Sequence, residues 1–417
     1  MSNKKVVVVG AGMIGLCSAY YLNKKGFQVT VLDNGDGTDN CSYGNAGYFC
    51  PSHVIPLASP GIISQGLKWM LDSQGPFYIK PRLNKDLLSW ILQFKKAATK
   101  KRVAKAAPLL HELCMKSKSL IEAILDQENI ESAYKKSGLL MLCKTERELQ
   151  HEIAAAQLAS SFGQQASEIS VAEAEKLNPG LEMNIAGAVY FRNDACFTPH
   201  LFMNSLKQVL LTKGVTIRFN QQVESFNVND KKITQVNLKN SQVEGDEFVI
   251  ATGSWTSSLV KGLKLKVPMQ GGKGYSFDIA NPPIIPKTPA ILTEGKVAMT
   301  PMANVTRFAG TMEINGLNRD INSNRVEGIK NSIMEFFPQF EAHHFSNIKP
   351  WVGLRPCSPD GLPYVGKSNK FKNLTLATGH AMLGITMGPV TGQLVSNIIS
   401  GDKISRDISL LDVDRYS

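Results

Sequence analysis

Along this chain short unbroken hydrophobic runs alternate with apolar residues at helical spacing, as expected where strands and helices follow one another. The four valines at 6–9 form a continuous β-branched run and a second apolar run covers 29–32; between them, residues 14–25 read as a helix. A stretch rich in Gly, Ser, Asn and Pro covers 34–81 and reads as loop, after which helical patterning dominates 85–127. Strands are expected at 138–143 and 186–191. Helices are expected at 146–160 and 171–177, the latter capped by Ser170 and stopped by Pro179. Leu201, Phe202, Leu206, Val209 and Leu210 predict a helix over 199–213. The period then changes. Residues 215–219, 223–227, 233–238 and 248–251 read as strands, and the polar turns Asn229-Asp230 and Asn240-Ser241 fit a β-meander. Strand candidates among many prolines fill 264–346 as a second sheet; a strand at 374–377, a glycine-rich turn and a final helix near 388–400 follow.

The turn after the first run carries Gly10, Gly12 and Gly15 in a G-x-G-x-x-G spacing, with Ala11, Met13 and Ile14 between them. Asp33 closes the second apolar run 18 residues after the last glycine. Gly10 permits the tight turn, Gly12 lets a pyrophosphate approach the backbone, and Gly15 lets the helix lie against the strand. The diphosphate sits on the helix N-terminus, where free N–H groups favour negative charge, and Asp33 is placed to accept from ribose hydroxyls. The unit therefore reads as an adenine-dinucleotide site. A secretory leader is the competing reading, since Lys4-Lys5 precede an apolar run over 6–22. Three glycines at dinucleotide spacing, no small-x-small cleavage site and a well-formed strand directly afterwards argue against it. No other segment approaches the roughly 18 apolar residues of a membrane span.

At 417 residues the chain exceeds one simple core, and 43% hydrophobic with 19% charged residues is ordinary for a globular protein. The expected class is α/β (α+β overall): a discontinuous Rossmann-like domain with a second domain built on an antiparallel sheet. Seven cysteines, an odd number without a C-x-x-C pair, argue for reduced thiols in a cytoplasmic setting and against a disulfide framework. No histidine spacing matches a metal site, so no metal is expected. The net charge of +11 is densest at Lys95, Lys96, Lys100, Lys101, Arg102 and Lys105, after Trp90 and Phe94, which reads as a basic amphipathic helix. A solvated face and docking on anionic lipid both account for it. Nucleic acid does not, because no nucleic-acid motif accompanies the cluster.

Further turns lie far apart in sequence: Cys41-Ser-Tyr-Gly-Asn-Ala-Gly47, Lys273-Gly-Tyr-Ser276, Gly353-Leu-Arg-Pro356 with Ser358-Pro-Asp-Gly-Leu-Pro363, and Gly379-His-Ala-Met-Leu-Gly-Ile-Thr386. By their number and order the chain resembles the D-amino-acid oxidase superfamily of flavoproteins, and most closely its bacterial D-amino-acid dehydrogenase branch, which includes hydroxy-D-proline dehydrogenases. The resemblance runs from Lys5 to about Gly401 and implies FAD. The FAD-binding domain is then expected from 1–85, 194–263 and 347–417, and the substrate domain from 86–193 and 264–346. Ser42, Asn45, Ala46 and Gly47 would meet the cofactor, as would Asn34, Val223 and the strand-end turn with Thr252, Gly253 and Trp255. Gly384, Ile385 and Thr386 form a turn expected just before the final helix, its N–H groups aimed at the flavin.

The resemblance assigns Arg355 to the substrate carboxylate, which a guanidinium can hold bidentately. Tyr275 and Tyr48 are candidates for a second carboxylate contact or simply a pocket wall. His380 is expected at the flavin; as bases, His380 and His53 both draw attention, although the superfamily is generally described as transferring hydride without an obligatory protein base. Sarcosine oxidases tether flavin through a cysteine at the position matching Gly353, with Cys357 four residues off register, so non-covalent FAD is expected. The resemblance implies oxidation of a D-amino acid, such as D-proline or hydroxy-D-proline, with electrons passing to a quinone-type acceptor at the inner face of the cell membrane. A glycine- or sarcosine-type oxidase producing peroxide, and a non-catalytic FAD-binding or tRNA-modifying module, are the alternatives.

Overall fold

A computed structural model describes residues 4–417; the first three residues of the expected 1–85 segment lie outside the described residues. The strand Lys5–Val9 occupies the middle of a six-stranded sheet because its valines are buried on both faces. The order is Tyr364–Lys367, Leu374–Thr378, Glu247–Ile250, Lys5–Val9, Gln28–Leu32, Thr216–Arg218. All neighbours pair in parallel except Tyr364–Lys367, which is antiparallel to Leu374–Thr378. Helices Met13–Lys24, Lys100–Gln127, Pro199–Thr212 and Gly384–Ser400 bury apolar side chains in a common core on one face. The first and last of these approach at backbone distance. A Cβ on Gly392 would lie 2.4 Å from the Cys17 carbonyl oxygen, so only glycine fits.

Glu247–Ile250, which leads into the glycine turn at 252–255, is a parallel strand of the first sheet, as a buried strand ending at its carboxyl edge should be. The expected meander is corrected at its start, because Thr216–Arg218 also belongs to the parallel sheet. The antiparallel unit is Val223–Asn229, Lys232–Leu238 and the three-residue Gln242–Glu244, whose single buried residue leaves almost no alternation to read. Glu247–Ile250 is buried throughout, as a central parallel strand must be.

The second sheet runs Trp351–Cys357, Gln270–Ile279, Thr306–Ile314, Val297–Pro301, Ala290–Leu292, Leu139–Cys143, Gly187–Phe191, Ala166–Ile169, with Phe77–Ile79 beside Thr306–Ile314. It is mixed rather than wholly antiparallel: Ala290–Leu292 runs parallel to Leu139–Cys143, and Phe77–Ile79 parallel to its neighbour. Segments that sequence grouped with the dinucleotide sheet thus supply strands to the other sheet, while Lys100–Gln127 packs on the first. The helix Ser323–Phe336, hidden among the strand candidates of 264–346, covers one face of the second sheet with Val326, Ile329, Ile333 and Phe336. The loop-rich stretch also contains a helix, Ile62–Trp69.

The basic amphipathic helix is two helices. Lys85–Ala97 ends and Lys100–Gln127 begins at Thr99, whose hydroxyl accepts from the Arg102 N–H. Trp90 is buried and donates to the Cys357 carbonyl at 2.9 Å, so it offers nothing to a membrane. Among the described residues no helix is long and apolar enough to cross a bilayer.

Candidate functional site

The carboxyl edge of the parallel sheet and the second sheet enclose a continuous cavity of about 1220 Å³, beyond the roughly 300–1,000 Å³ of a single small-ligand site. It brings together turns from five distant parts of the sequence.

At one end the three glycines do different work. Gly10 has φ +109°, and a Cβ there would lie 2.5 Å from the Ala251 carbonyl oxygen; one on Gly15 would lie 1.8 Å from that of Gly10. Gly12 meets nothing closer than the Ser42 Oγ at 3.5 Å, so its bare backbone faces the cavity. The helix Met13–Lys24 starts there behind a glycine N-cap that offers no side chain, and it has no acid in its first turn; the neutral Ser42 hydroxyl takes Met13 N, so the dipole is left for an anion. Asp33 accepts from Ala11 N at 2.6 Å and Gly35 N at 2.8 Å. Ala11 and Gly15 therefore shape the turn from behind, while Met13, Ile14, Asp33 and Asn34 line the cavity. Val223, Thr252, Gly253 and Trp255 line it as well.

The 41–47 turn is held by the second sheet. Ser276 Oγ donates to Gly44 O and Thr300 Oγ1 to Ala46 O, both at 2.8 Å. The buried Arg307 donates to Tyr43 O at 2.8 Å and Asn45 O at 3.0 Å while paired with Asp278 at 2.7 Å. Ser42 Oγ accepts from Met13 N at 3.1 Å, tying this turn to the glycine turn. Asn45 spends its side-chain oxygen on Gly47 N at 2.8 Å. Gly47, at φ +73°, shapes the loop rather than lining the cavity, whereas Ser42, Asn45 and Ala46 line it. Of the three residues that pin the turn, only Ser276 lies in a motif; Thr300 and Arg307 carried no sequence signal.

Gly384, Ile385 and Thr386 are not a turn ahead of the final helix but its first turn, since the helix spans Gly384–Ser400. It too has no side-chain cap from its N-cap residue and no acid in its first turn, so a second such N-terminus faces the cavity. Thr386 Oγ1 donates to Tyr48 O at 3.0 Å and locks the helix start to the strand after the 41–47 turn. His380 is buried, shares a 2.9 Å hydrogen bond with Thr391 Oγ1, and is pushed down to about 3 by burial. It stays neutral at working pH and braces this helix.

At the other end lies Arg355. It lines the cavity, donates to Thr311 O at 2.7 Å, and has no carboxylate within ion-pair distance among the described residues. Burial pulls its pKa below that of a free guanidinium. The guanidinium lies directly over the Gly274 backbone, where a Cβ would come within 2.2 Å of Arg355 Nη1 and displace it. Thr311 sits at φ +67°, an uncommon conformation for a β-branched residue, at the position whose carbonyl meets Arg355. The tyrosines are walls. Tyr48 OH reaches the carbonyls of Ala290 and Met299 at 2.8 and 2.9 Å. Tyr275 donates to Glu313 and accepts from Asn322 N, so neither hydroxyl is free as a carboxylate donor. Gly353 lines the cavity with no side chain to bond a flavin; Cys357 is fully buried, and burial pushes its thiol up to about 11. One cluster was invisible to sequence spacing: ligand atoms of Cys50, His53 and Asp194 lie within 4.8 Å of one another.

The family model of FAD-dependent oxidoreductases matches residues 5–398, and the chain belongs to that family. It is 31% identical to a D-amino acid dehydrogenase of Helicobacter pylori over 396 residues, covering 95% of this chain and 94% of that one. It is 31% identical to one of Vibrio vulnificus, covering 99% and 100%. Glycine oxidase from Geobacillus kaustophilus shares the fold with a TM-score of 0.78 at 19% identity, covering 99% of each chain. L-proline dehydrogenase from P. horikoshii shares it with a TM-score of 0.74 at 16% identity, covering 100% and 98%. FAD is therefore the cofactor of this enzyme, and the residues fit it: a bare Gly12 backbone, two helix N-termini with no acid in their first turns and a cavity large enough for a dinucleotide beside a substrate.

Proposed function

We propose that this enzyme oxidises a D-amino acid to the corresponding imino acid, which for a primary amine hydrolyses to a 2-oxo acid and ammonia. The observation that carries the reading is Arg355, a half-buried guanidinium facing the cofactor cavity without a counter-ion among the described residues. A partly desolvated charge left unpaired is costly unless a ligand neutralises it, and an amino-acid carboxylate matches its fork. The D configuration is favoured by near-full-length relatives named D-amino acid dehydrogenase. Bound flavin supplies a hydride acceptor; the chain supplies placement. Gly12, Asp33, Ser42 and the start of the Gly384–Ser400 helix would hold the FAD, non-covalently because Gly353 offers no thiol. Arg355 orients the substrate by its carboxylate, and Tyr48 and Tyr275 bound its side. Positioning of this kind supplies much of a barrier reduction.

Electrons then pass to a quinone-type acceptor. Lys95, Lys96, Lys100, Lys101 and Lys105 are exposed, and beside them Leu88 and Leu92 stand 52% and 61% exposed, which supports docking on an anionic bilayer. The test is anaerobic titration of purified protein with D- and L-amino acids, cyclic ones included, while following loss of the oxidised flavin absorbance. Bleaching by D but not L isomers is expected. Retained flavin that no amino acid reduces would refute the reading and favour a non-catalytic FAD protein.

A further inference from the structure

The Cys50–His53–Asp194 cluster contains a hydrogen-bond chain whose direction is fixed. Asp194 is fully buried and accepts from Ser52 twice, from the backbone N–H at 3.2 Å and from the hydroxyl. A hydroxyl has one proton. With it committed to the carboxylate, Ser52 Oγ can only accept at its 3.0 Å contact with His53 Nδ1. The neutral imidazole must therefore carry its proton on Nδ1. Its Nε2 is left as a bare acceptor with no partner among the described residues, on a ring that lines the same cavity as Arg355.

We propose that His53 Nε2 accepts the ammonium proton of the amino-acid substrate, and that Ser52 and Asp194 are positioning residues holding His53 in the tautomer that can do so. The inference rests on the amino-acid reading above. In the step, one N–H bond of the ammonium breaks and its electron pair stays on nitrogen. One Nε2–H bond forms, nothing is oxidised, and the proton later leaves to solvent through the cavity. An amine that has lost this proton has the free pair needed to become the imine nitrogen.

The electrostatics keep the acceptor neutral. Burial, together with the Lys296 charge, pushes His53 down to about 4, which leaves the ring unprotonated near neutral pH but makes it a weaker base than a free imidazole, so the transfer depends on a matching depression of the substrate ammonium. Burial and the Arg355 and Lys296 charges depress a bound ammonium in the same sense, which brings donor and acceptor closer. Burial pushes Asp194 up to about 7, against the pull of Ser52 and Lys118. Cys50 and, from the Lys100–Gln127 helix, Cys114 and Lys118 also face Asp194; Lys296, with Glu152 beyond it, faces His53. Above about 7 the chain runs as described; below it a protonated Asp194 can donate to Ser52, which turns the chain around and puts the proton on Nε2.

The experiment uses FAD-loaded protein and rapid anaerobic mixing with a reducing D-amino acid across pH, alongside benzoate binding read from the flavin spectrum. His53→Gln should slow flavin reduction about 100-fold near neutral pH, as expected for loss of a general base. The deficit should shrink as pH approaches the substrate amine's own pKa, because the amine then arrives neutral. Benzoate affinity should stay within about twofold, because no proton is transferred. Asp194→Asn should flatten the rise in reduction rate around pH 7. Nitrogen-15 NMR of histidine-labelled wild-type holoenzyme, which needs no variant, should show His53 as the Nδ1–H tautomer above that pH. Wild-type protein that binds no benzoate would overturn the amino-acid reading and this inference with it. Benzoate binding together with either wild-type reduction by His53→Gln or an Nε2–H tautomer at high pH would overturn the inference alone.

Discussion

Replacing Arg355 by Met should separate function from stability. The guanidinium is half-buried and partly desolvated, and among the described residues it bonds only the Thr311 carbonyl and has no acid beside it, so its charge is a liability until a carboxylate arrives. Loss of a charge-assisted, bidentate contact costs about 3 kcal/mol in transition-state stabilisation, which is roughly a hundredfold to two-hundredfold in kcat/KM. Lysine should restore only part, since one ammonium cannot reproduce the fork. The unfolding midpoint of the substrate-free, FAD-loaded variant should hold or rise, because an unneutralised, partly desolvated charge is gone and cavity water can serve the Thr311 carbonyl. Benzoate at about 100 times its Kd should add about 2.7 kcal/mol to wild type and nothing to the variant. The assays are steady-state kinetics with a dye acceptor and thermal unfolding with and without benzoate. Near wild-type kcat/KM in Arg355→Met, or benzoate stabilisation that survives it, would show that the carboxylate is held elsewhere.

Gly12→Val should purify colourless, since a side chain there would enter the space beside Ser42 that the diphosphate needs; normal flavin content would count against the turn. Acid precipitation of wild type should leave all FAD in the supernatant, and flavin retained in the pellet would reveal a covalent bond. Arg307→Met removes two donors from the 41–47 turn and leaves Asp278 without its partner, so FAD affinity should fall by about 2 kcal/mol; an unchanged Kd would mean the turn holds itself. Because Asp194 is raised from 3.8 to about 7, its charging opposes the folded state. Its contribution is fully favourable below 3.8 and is lost as pH rises through about 7. Relative to Asp194→Asn, wild-type stability should fall across that window, and parallel pH profiles would refute the shift.

What the sequence made legible was local. The valines at 6–9, the three glycines and Asp33 lie within one strand–helix–strand unit, and period and spacing alone identify them. Ser170 and Glu173 close a capping box at the start of Val171–Leu177, another signal contained in four residues. The failures share a cause. Thr216–Arg218 stands beside the antiparallel strands in sequence, yet its partner lies 186 residues earlier (216 − 30 = 186, from the pairing of Thr30 with Thr216), and no local pattern encodes that. Trp90 looked like a membrane residue because its hydrogen-bond acceptor, Cys357, is equally remote. Asp194 carried no motif at all; its role depends on burial beside Ser52.

The same remoteness explains why the two sheets cannot be treated as a cofactor domain with a substrate domain appended. The 41–47 turn belongs in sequence to the dinucleotide half, but its carbonyls are fixed by Ser276, Arg307 and Thr300 of the second sheet. Arg355 stands on Trp351–Cys357 of that sheet, paired with Gln270–Ile279, the strand that carries Ser276. Trp351, at the start of Arg355's own strand, packs where a Cβ on Gly44 would come within 2.1 Å. A shift of the second sheet therefore moves the flavin-side turn and the carboxylate anchor together, and the spacing between them is preserved. Hydride transfer is steep in distance and orientation, so coupling both contacts to one pair of hydrogen-bonded strands protects the quantity on which the rate depends. Substitutions at Ser276 should accordingly lower flavin affinity and substrate kcat/KM together, whereas those at Gly12 act on flavin alone and those at Arg355 on substrate alone. Ser276→Ala that alters only one of the two would show that the turn and the anchor move independently.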